Sequence, residues 1–273
     1  MNDRLSDKYE PLYRHFDLPV MRQLRRDAYG EDIGQHSWVS AEELRADIQR
    51  LQLDESSRLL DLGCGPCGPL TFILATTGCR GTGVERSRSA LHVGRARAAS
   101  LGIDDLLEVR EADLDEPLPL ESRSFDAVIS LDVVLHLRDR LQLFREVARL
   151  LEPGGKFLFT DAGVLTGSIS NEEVRRRSAL GFTHFAAAGW NEALLDTAGL
   201  RLIETGNRTV SVIENASGRL RAMREHQEEL ESVLGPRALK SQQEYLDTVV
   251  ELSRRGALSR IMYLADLSLP FHG

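Results

Sequence analysis

No apolar stretch in this chain of 273 residues approaches the roughly 20 residues that a membrane-spanning helix needs. The opening residues, Met1 to Glu10, are polar and charged and do not read as a secretory signal. Cysteine is scarce: Cys64, Cys67 and Cys79 are too few for a disulfide framework and point to a reducing compartment, with the cytoplasm as the expected location. Positive charge is in deficit, 34 Lys and Arg against 42 Asp and Glu for a net −8, so a nucleic-acid partner is not expected. The one short basic run, Arg175 to Arg177, reads as a solvated helix face. There is no internal repeat and no low-complexity tract. The length suits one substantial α/β domain with an elaboration, or two small domains.

Within those bounds the texture changes three times. Residues 1–53 read as helices and loops, with a capping box at Ser40-Ala-Glu-Glu43 ahead of Leu44, Ile48 and Leu51 at helical spacing. Residues 54–206 alternate short apolar runs (Arg58–Leu62, Gly81–Glu85, Leu106–Arg110, Ala127–Leu131, Lys156–Thr160, Leu200–Glu204) with helical patterns such as Ser87–Ser100 and Asp139–Leu151. That alternation predicts an α/β fold: a Rossmann-like, seven-stranded, mostly parallel sheet with helices on both faces. Residues 207–257 read as two helices broken at Gly235-Pro236, either a lid inserted over the site or a structural layer. Residues 258–273 supply a last strand, Ser259 to Asp266, and the end of the chain.

The densest signal is Asp61-Leu-Gly-Cys-Gly-Pro-Cys-Gly68, a glycine-rich turn between a strand and a helix. Glycines there let backbone approach a ligand closely, and the helix start offers free amide donors. Three patterns overlap. Gly63-x-Gly65-x-x-Gly68 matches a dinucleotide fingerprint, with Glu85 placed to take a ribose. Cys64-Gly-Pro-Cys67 has redox-dithiol spacing, though its first cysteine lies inside the turn instead of opening a helix. Asp61-x-Gly63-x-Gly65 places an acid beside the turn, where it would repel a diphosphate but suit a ligand bearing an ammonium group.

Five segments in order together resemble class I S-adenosylmethionine-dependent methyltransferases: Leu60-Asp-Leu-Gly-Cys-Gly-Pro66, Gly81-Thr-Gly-Val-Glu-Arg-Ser87, Glu111-Ala-Asp-Leu114, Ser124-Phe-Asp-Ala-Val-Ile-Ser-Leu-Asp132 and Leu150-Leu-Glu-Pro-Gly-Gly-Lys-Phe-Leu158. The resemblance implies S-adenosyl-L-methionine as cofactor. It gives Asp61 the methionine ammonium, Gly63 and Gly65 the space for methionine and ribose, and Glu85, beside Arg86, the ribose hydroxyls. Asp113, flanked by Ala112 and Leu114, would take the adenine amino group, and Leu131 would line the site. Plain structural roles stand beside these: Glu85 as a helix cap, Asp113 as a turn carboxylate, Asp126 as a structural carboxylate. Cys67 stands where the family usually has glycine, which bears on the local backbone conformation alone.

Ser130-Leu-Asp-Val-Val-Leu-His136 further resembles small-molecule N-methyltransferases of the phosphoethanolamine and sarcosine/dimethylglycine type. The resemblance makes His136 the candidate base or orienting group for the acceptor, with packing at a helix start as the alternative. Ala28-Tyr-Gly-Glu-Asp-Ile-Gly-Gln-His-Ser-Trp38 looks like the entry segment of the same enzymes; Tyr29 could pair with His136, and Gln35, His36 and Ser37 could bond the cofactor carboxylate or the substrate. No ligand spacing supports a metal at His36, Glu31 and Asp32. Trp38 and Trp190 read as packing anchors, and His184 as a place for specificity. The expected partner is a small-molecule methyl acceptor, an amine nitrogen first, with carbon or oxygen of an isoprenoid, quinone or natural product as the alternative. An NAD-dependent oxidoreductase and a non-catalytic binding protein are the competitors from other classes. Monomer and homodimer both remain open.

Overall fold

The computed structural model describes residues 10, 12–179 and 181–268; the polar opening stretch, Glu10 apart, lies outside them. After helices α1 (Pro19–Tyr29) and α2 (Ala41–Leu51) come β1 (Arg58–Leu62), α3 (Gly68–Thr77), β2 (Arg80–Glu85), α4 (Arg88–Leu101), β3 (Leu107–Glu111) and β4 (Phe125–Leu131). A single 3-10 turn, Val134–His136, leads to α5 (Arg140–Leu150), β5 (Leu151–Leu165), α6 (Asn171–Arg177), the two-residue β6 (Ala186–Ala187), α7 (Trp190–Thr197) and β7 (Leu200–Asn207). Helices α8 (Thr209–Glu225), α9 (Gln227–Leu234) and α10 (Pro236–Arg254) precede β8 (Leu258–Leu267).

The main path of the sheet runs β3-β2-β1-β4-β5-β8-β7, with β6 attached to β5. Strands β1 to β5 pair in parallel, and β8 runs antiparallel between β5 and β7. The expected seven-strand, mostly parallel sheet is present. Successive residues of one strand serve opposite faces, as the two-residue period requires. Leu59 joins the apolar layer with Leu44, Ile48 and Leu70, whereas Leu60 and Leu62 join Phe144, Val147 and Leu195 on the other side. Buried on both faces, such strands read as continuous apolar runs.

Strand order reverses between β1 and β4, which are neighbours in the sheet though far apart in the chain. Loops leaving such a pair diverge to opposite faces and open a crevice at the carboxyl ends of the strands. Here the crevice lies between the turn after β1 and the turn after β4. Asp126, near the start of β4, faces away from it: its carboxylate accepts from Arg58 N at 2.8 Å, Nε at 3.0 Å and Nη2 at 3.1 Å. Its role is structural, as read.

Two local expectations need correction. Ser40 Oγ accepts from Glu43 N at 3.1 Å, but the Glu43 carboxylate takes Arg260 Nη1 at 2.8 Å and Ser211 Oγ instead of closing a capping box. A buried guanidinium needs a counter-charge more than an exposed helix end needs a second cap. The 207–257 region has three helices instead of two; Gly235 makes the expected break with φ 80°, while a further break at His226 has no glycine or proline to announce it. These helices and α1 share one apolar layer built from Val20, Leu24, Val212, Ala216, Leu220, Met223 and Leu246.

Candidate active site

The crevice is a cavity bounded by the turn after β1, the ends of β2 and β4, the 36–38 segment and side chains from α6, α8 and α10. The turn after β1 is fixed by its residues. Gly63 has φ +79°, and a Cβ there would stand 2.6 Å from Val133 Cγ2. At Gly68 a Cβ would stand 2.0 Å from the carbonyl oxygen of Gly34, because the entry segment crosses the start of α3 backbone to backbone. Cys67, where the resemblance led one to expect glycine, takes up left-handed geometry itself, with φ +56° at the N-cap of α3. That geometry costs a non-glycine residue about 1 kcal/mol or more.

The two thiols fill space in this turn. Their Sγ atoms stand 3.5 Å apart, both are buried and neither is in a disulfide. A Cβ on Gly83 would stand 2.7 Å from Cys64 Sγ, and one on Gly94 2.6 Å from Cys67 Sγ, so larger residues would collide with the neighbouring strand and helix.

Asp61 is 2% exposed, lines the cavity and makes no side-chain hydrogen bond among the described residues. Burial, reinforced by the negative charge of Glu85, pushes its pKa up to about 8. Glu85 is braced by two backbone amides, Ser87 N to Oε1 at 2.9 Å and Gly65 N to Oε2 at 3.3 Å, and burial raises its pKa as well. It therefore steadies the start of α4 and also lines the cavity. Two carboxylates held in one crevice form an acceptor set for a ligand that brings its own positive charge or hydroxyl donors. That acceptor set fits the ammonium and ribose diol of an S-adenosyl ligand.

Ser37, Gly63, Gly65, Arg86, Ala112, Asp113, Leu114, Leu131 and His136 all line the cavity. Asp113 Oδ1 also accepts from Asp115 N at 3.1 Å, which sets its turn. Tyr29 and Gln35 do not reach the wall. The Tyr29 hydroxyl donates to the carbonyl of Ser37 at 2.9 Å, so it holds the entry segment from behind. Gln35 is 1% exposed and folds onto its own loop, accepting from Ile33 N at 2.9 Å and donating to the carbonyl of Glu31 at 3.0 Å. Polar groups adjacent in sequence to a ligand segment are drawn first to satisfy its backbone. His184 is also off the wall, its ring 4.8 Å from that of Trp190 at the start of α7.

His136 lines the cavity from the 3-10 turn after β4. Its Nδ1 lies 2.8 Å from the carbonyl oxygen of Phe182. A carbonyl only accepts, so Nδ1 carries the proton in the neutral ring and Nε2 is the basic nitrogen. Burial lowers the His136 pKa, which keeps the ring neutral at pH 7. Burial, with Arg219 and Arg25 adding positive charge, lowers that of His36 to about 3.

Several wall residues carried no local signal. Arg177 is 3% exposed, not part of a solvated face: Nη1 donates to the Tyr245 hydroxyl at 2.7 Å and Nη2 to the carbonyl of Ala162 at 3.5 Å. Its neighbours Arg175 and Arg176 do sit in the solvated layer, paired with Glu172 and Glu251. Arg219, its guanidinium 5.5 Å from the centre of the Trp38 ring, and Tyr245 come from α8 and α10, remote in sequence. Neither Arg177 nor Arg219 forms an ion pair with a carboxylate among the described residues. Asp132 is locked elsewhere: it accepts from Trp38 N at 3.0 Å, Thr160 Oγ1 at 2.8 Å and Arg260 Nε at 2.8 Å.

Among the described residues no group of three or more His, Cys, Asp and Glu is arranged to hold a metal ion, and no helix is long and apolar enough to cross a membrane. Residues 60–159 match the family described as "Methyltransferase domain". The chain is 33% identical over 162 residues to methyltransferase GfsG of Streptomyces halstedii, covering 57% of each chain. It is 33% identical over 142 residues to a sarcosine/dimethylglycine N-methyltransferase of Halorhodospira halochloris, covering 48% of this chain and 50% of that one. The chain thus spans about half the length of these relatives. Other relatives are named for methylation at carbon or at oxygen. Among solved structures, Haemonchus contortus phosphoethanolamine N-methyltransferase 2, with phosphomonomethylethanolamine and S-adenosylhomocysteine, superposes with a TM-score of 0.80 at 21% identity, over 96% of this chain and 60% of that one. The fold is therefore that of the S-adenosylmethionine-dependent methyltransferases, and the segment that matches the methyltransferase-domain family, residues 60–159, carries the glycine turn, Glu85, Asp113 and His136.

Proposed function

We propose that the chain is an S-adenosylmethionine-dependent methyltransferase acting on a small amine that carries an acidic group. The observation that carries the first half is a pair of carboxylates, buried Asp61 and half-buried Glu85, that both line the cavity beside the glycine turn. Asp61 would hold the ammonium, Glu85 the ribose diol, and the Ala112 to Leu114 turn the adenine. A diphosphate would meet two carboxylates at the same place, so the dinucleotide reading gives way. The bound donor supplies an electrophilic methyl on a sulfonium centre.

The residues facing that methyl do the rest. His136, neutral with Nε2 as its basic nitrogen, takes the proton that an ammonium acceptor must lose before its nitrogen can attack. Arg177 and Arg219 make the acceptor end of the cavity cationic. A cationic wall disfavours a bare ammonium ion and favours a neutral amine tethered to a carboxylate or phosphate. Sarcosine, dimethylglycine and phosphoethanolamine, in the names of the relatives, are amines of this kind. Methyl transfer to carbon or oxygen is the second reading, because relatives on the same fold are named for it and fold does not fix chemistry. Helices α8 to α10 act as the substrate lid in this reading, since Arg219 and Tyr245 reach the cavity from them. We place the protein in the cytoplasm, in keeping with its three free thiols.

The experiment is calorimetric titration with S-adenosylhomocysteine and with NAD, followed by a methylation assay over amines with and without an acidic group. Binding of the first ligand only, with turnover confined to acid-bearing amines, is expected. Binding without methyl transfer to any acceptor would leave a non-catalytic binding protein, and binding of NAD would overturn the proposal.

A further inference from the structure

His136 depends on a segment with little structure of its own. Phe182, whose carbonyl fixes the proton on Nδ1, lies between α6 and the two-residue β6. Two hydrogen bonds tie this strap down. His184 N donates to the carbonyl of Leu135, in the same 3-10 turn as His136, at 2.7 Å. Arg140 Nη2 donates to the carbonyl of His184.

Arg140 is not a surface residue that happens to reach the strap. Its side chain is fully buried and ion-paired at 2.5 Å with Asp161, whose side chain is equally buried. Asn191 closes the group, its Oδ1 accepting from Arg140 Nη1 at 2.8 Å and its Nδ2 donating to Asp161 Oδ2 at 2.9 Å. The other Asp161 oxygen accepts from Gly163 N at 2.8 Å. The Trp190 ring lies 5.3 Å from the guanidinium. None of Arg140, Asp161 and Asn191 lines the cavity. Burying an ion pair is a poor way to add stability, since apolar side chains of similar volume do as well or better. Its distinguishing product here is a guanidinium fork with one arm on Asp161 and Asn191 and the other on the strap.

Resting on the reading of His136 as the acceptor-facing base, we propose that Arg140, Asp161 and Asn191 are positioning residues: they hold residues 182–184 so that the Phe182 carbonyl keeps the His136 proton on Nδ1. Nothing in the neutral ring otherwise prefers this form strongly. With the strap loosened, the proton can sit on Nε2 and the ring presents no base to the acceptor.

Arg140→Lys tests this. It keeps a positive charge beside Asp161, but a single ammonium cannot reproduce the fork. The readout is the tautomer of His136 in 15N-histidine-labelled protein, from long-range proton–nitrogen spectra, assigned with His136→Gln. Asn191→Ser is measured alongside, in case Arg140→Lys does not fold. In the wild type we expect the Nδ1-protonated form. In the variants we expect the Nε2-protonated form to become populated, and turnover on the acceptor to fall by roughly tenfold, short of the loss from removing the base itself. The imidazole titration is followed in each variant, because Arg177, Asp161 and Asp132 all bear on it. A lowered melting temperature with wild-type His136 nitrogen shifts would reduce the triad to a structural role and overturn the proposal. The tautomer is read without any methyl transfer, so this outcome is separate from a failure of the base reading, which full turnover by His136→Gln would reveal.

Discussion

Replacing Asp61 by asparagine is expected to stabilise the unliganded protein while removing its affinity for S-adenosyl ligands. The carboxyl is 2% exposed, has no hydrogen-bond partner for its side chain among the described residues, and has its pKa pushed up to about 8 by burial and by Glu85. In the unfolded chain the same group titrates near ~3.9. A folded-state pKa above the unfolded one favours folding fully below the unfolded value, and the benefit is lost as pH rises through the folded value. At pH 7 the wild type thus bears the cost of about 3 units, or ~4 kcal/mol as an upper figure. Asparagine is never ionised, but its amide must also leave water, at about 1–3 kcal/mol. A net gain of ~1–3 kcal/mol corresponds to a melting temperature several degrees higher for a chain of this size, at about 2–4 °C per kcal/mol. The assay is a series of thermal melts of both proteins from about pH 4.5 to about pH 8.5, with calorimetric titration of S-adenosylhomocysteine at pH 7. The gap in favour of the variant should open as pH rises and level off above pH 8. A gap of zero or the opposite sign at neutral pH, flat with pH, refutes the electrostatic account of the crevice. Undiminished ligand binding by the variant refutes the ammonium role of Asp61.

Three further outcomes follow from the same geometry. His136→Ala should bind S-adenosylhomocysteine as the wild type does and lose roughly 100-fold or more in turnover; with the His136 pKa lowered by burial, the wild-type rate should fall only on the acid side of the free imidazole range, which a pH–rate profile reads directly. Arg177→Gln should raise KM for acid-bearing acceptors by about tenfold or more and leave neutral acceptors unaffected, as steady-state kinetics on matched pairs would show. Gly63→Ala should destabilise by about 1–3 kcal/mol, because the new Cβ meets Val133 in a left-handed conformation, and adding Val133→Ala should recover part of the loss in a denaturant titration.

The parts of this protein that sequence makes legible are those whose physics is local. Strands β1, β2, β4 and β8 show as apolar or β-branched runs because each residue's fate is decided by its own two faces. The glycine turn shows because Gly63 must adopt a positive φ and Gly68 must leave room for backbone. The two carboxylates of the cavity show because Asp61 lies one residue before the end of β1 and Glu85 ends the adjacent β2. The acceptor side is different. Arg177, Arg219 and Tyr245 come from three helices, and their convergence is a property of packing, not of spacing. Arg177 was hidden by its company, since Arg175 and Arg176 face water one turn of chemistry away. Tyr29 and Gln35 sit in a segment that does reach the cavity, but their own atoms serve the backbone that carries Ser37 to the wall. The complete capping box lies at Ser170 and Glu173, not at Ser40, because Glu43 is claimed by a cation more than two hundred residues away.

That distant claim ties the crevice to the far side of the sheet. Arg260, in the final strand, neutralises Asp132, and Asp132 in turn grips the amide of Trp38 over the crevice. A cation contributed by β8, threaded between β5 and β7, thus fixes the carboxylate that holds the entry segment, although cation and segment lie more than two hundred residues apart. Loss of that guanidinium would leave Asp132 a buried charge without its counter-ion and loosen Trp38 with it, so damage on the antiparallel side of the sheet would be felt at the mouth of the crevice.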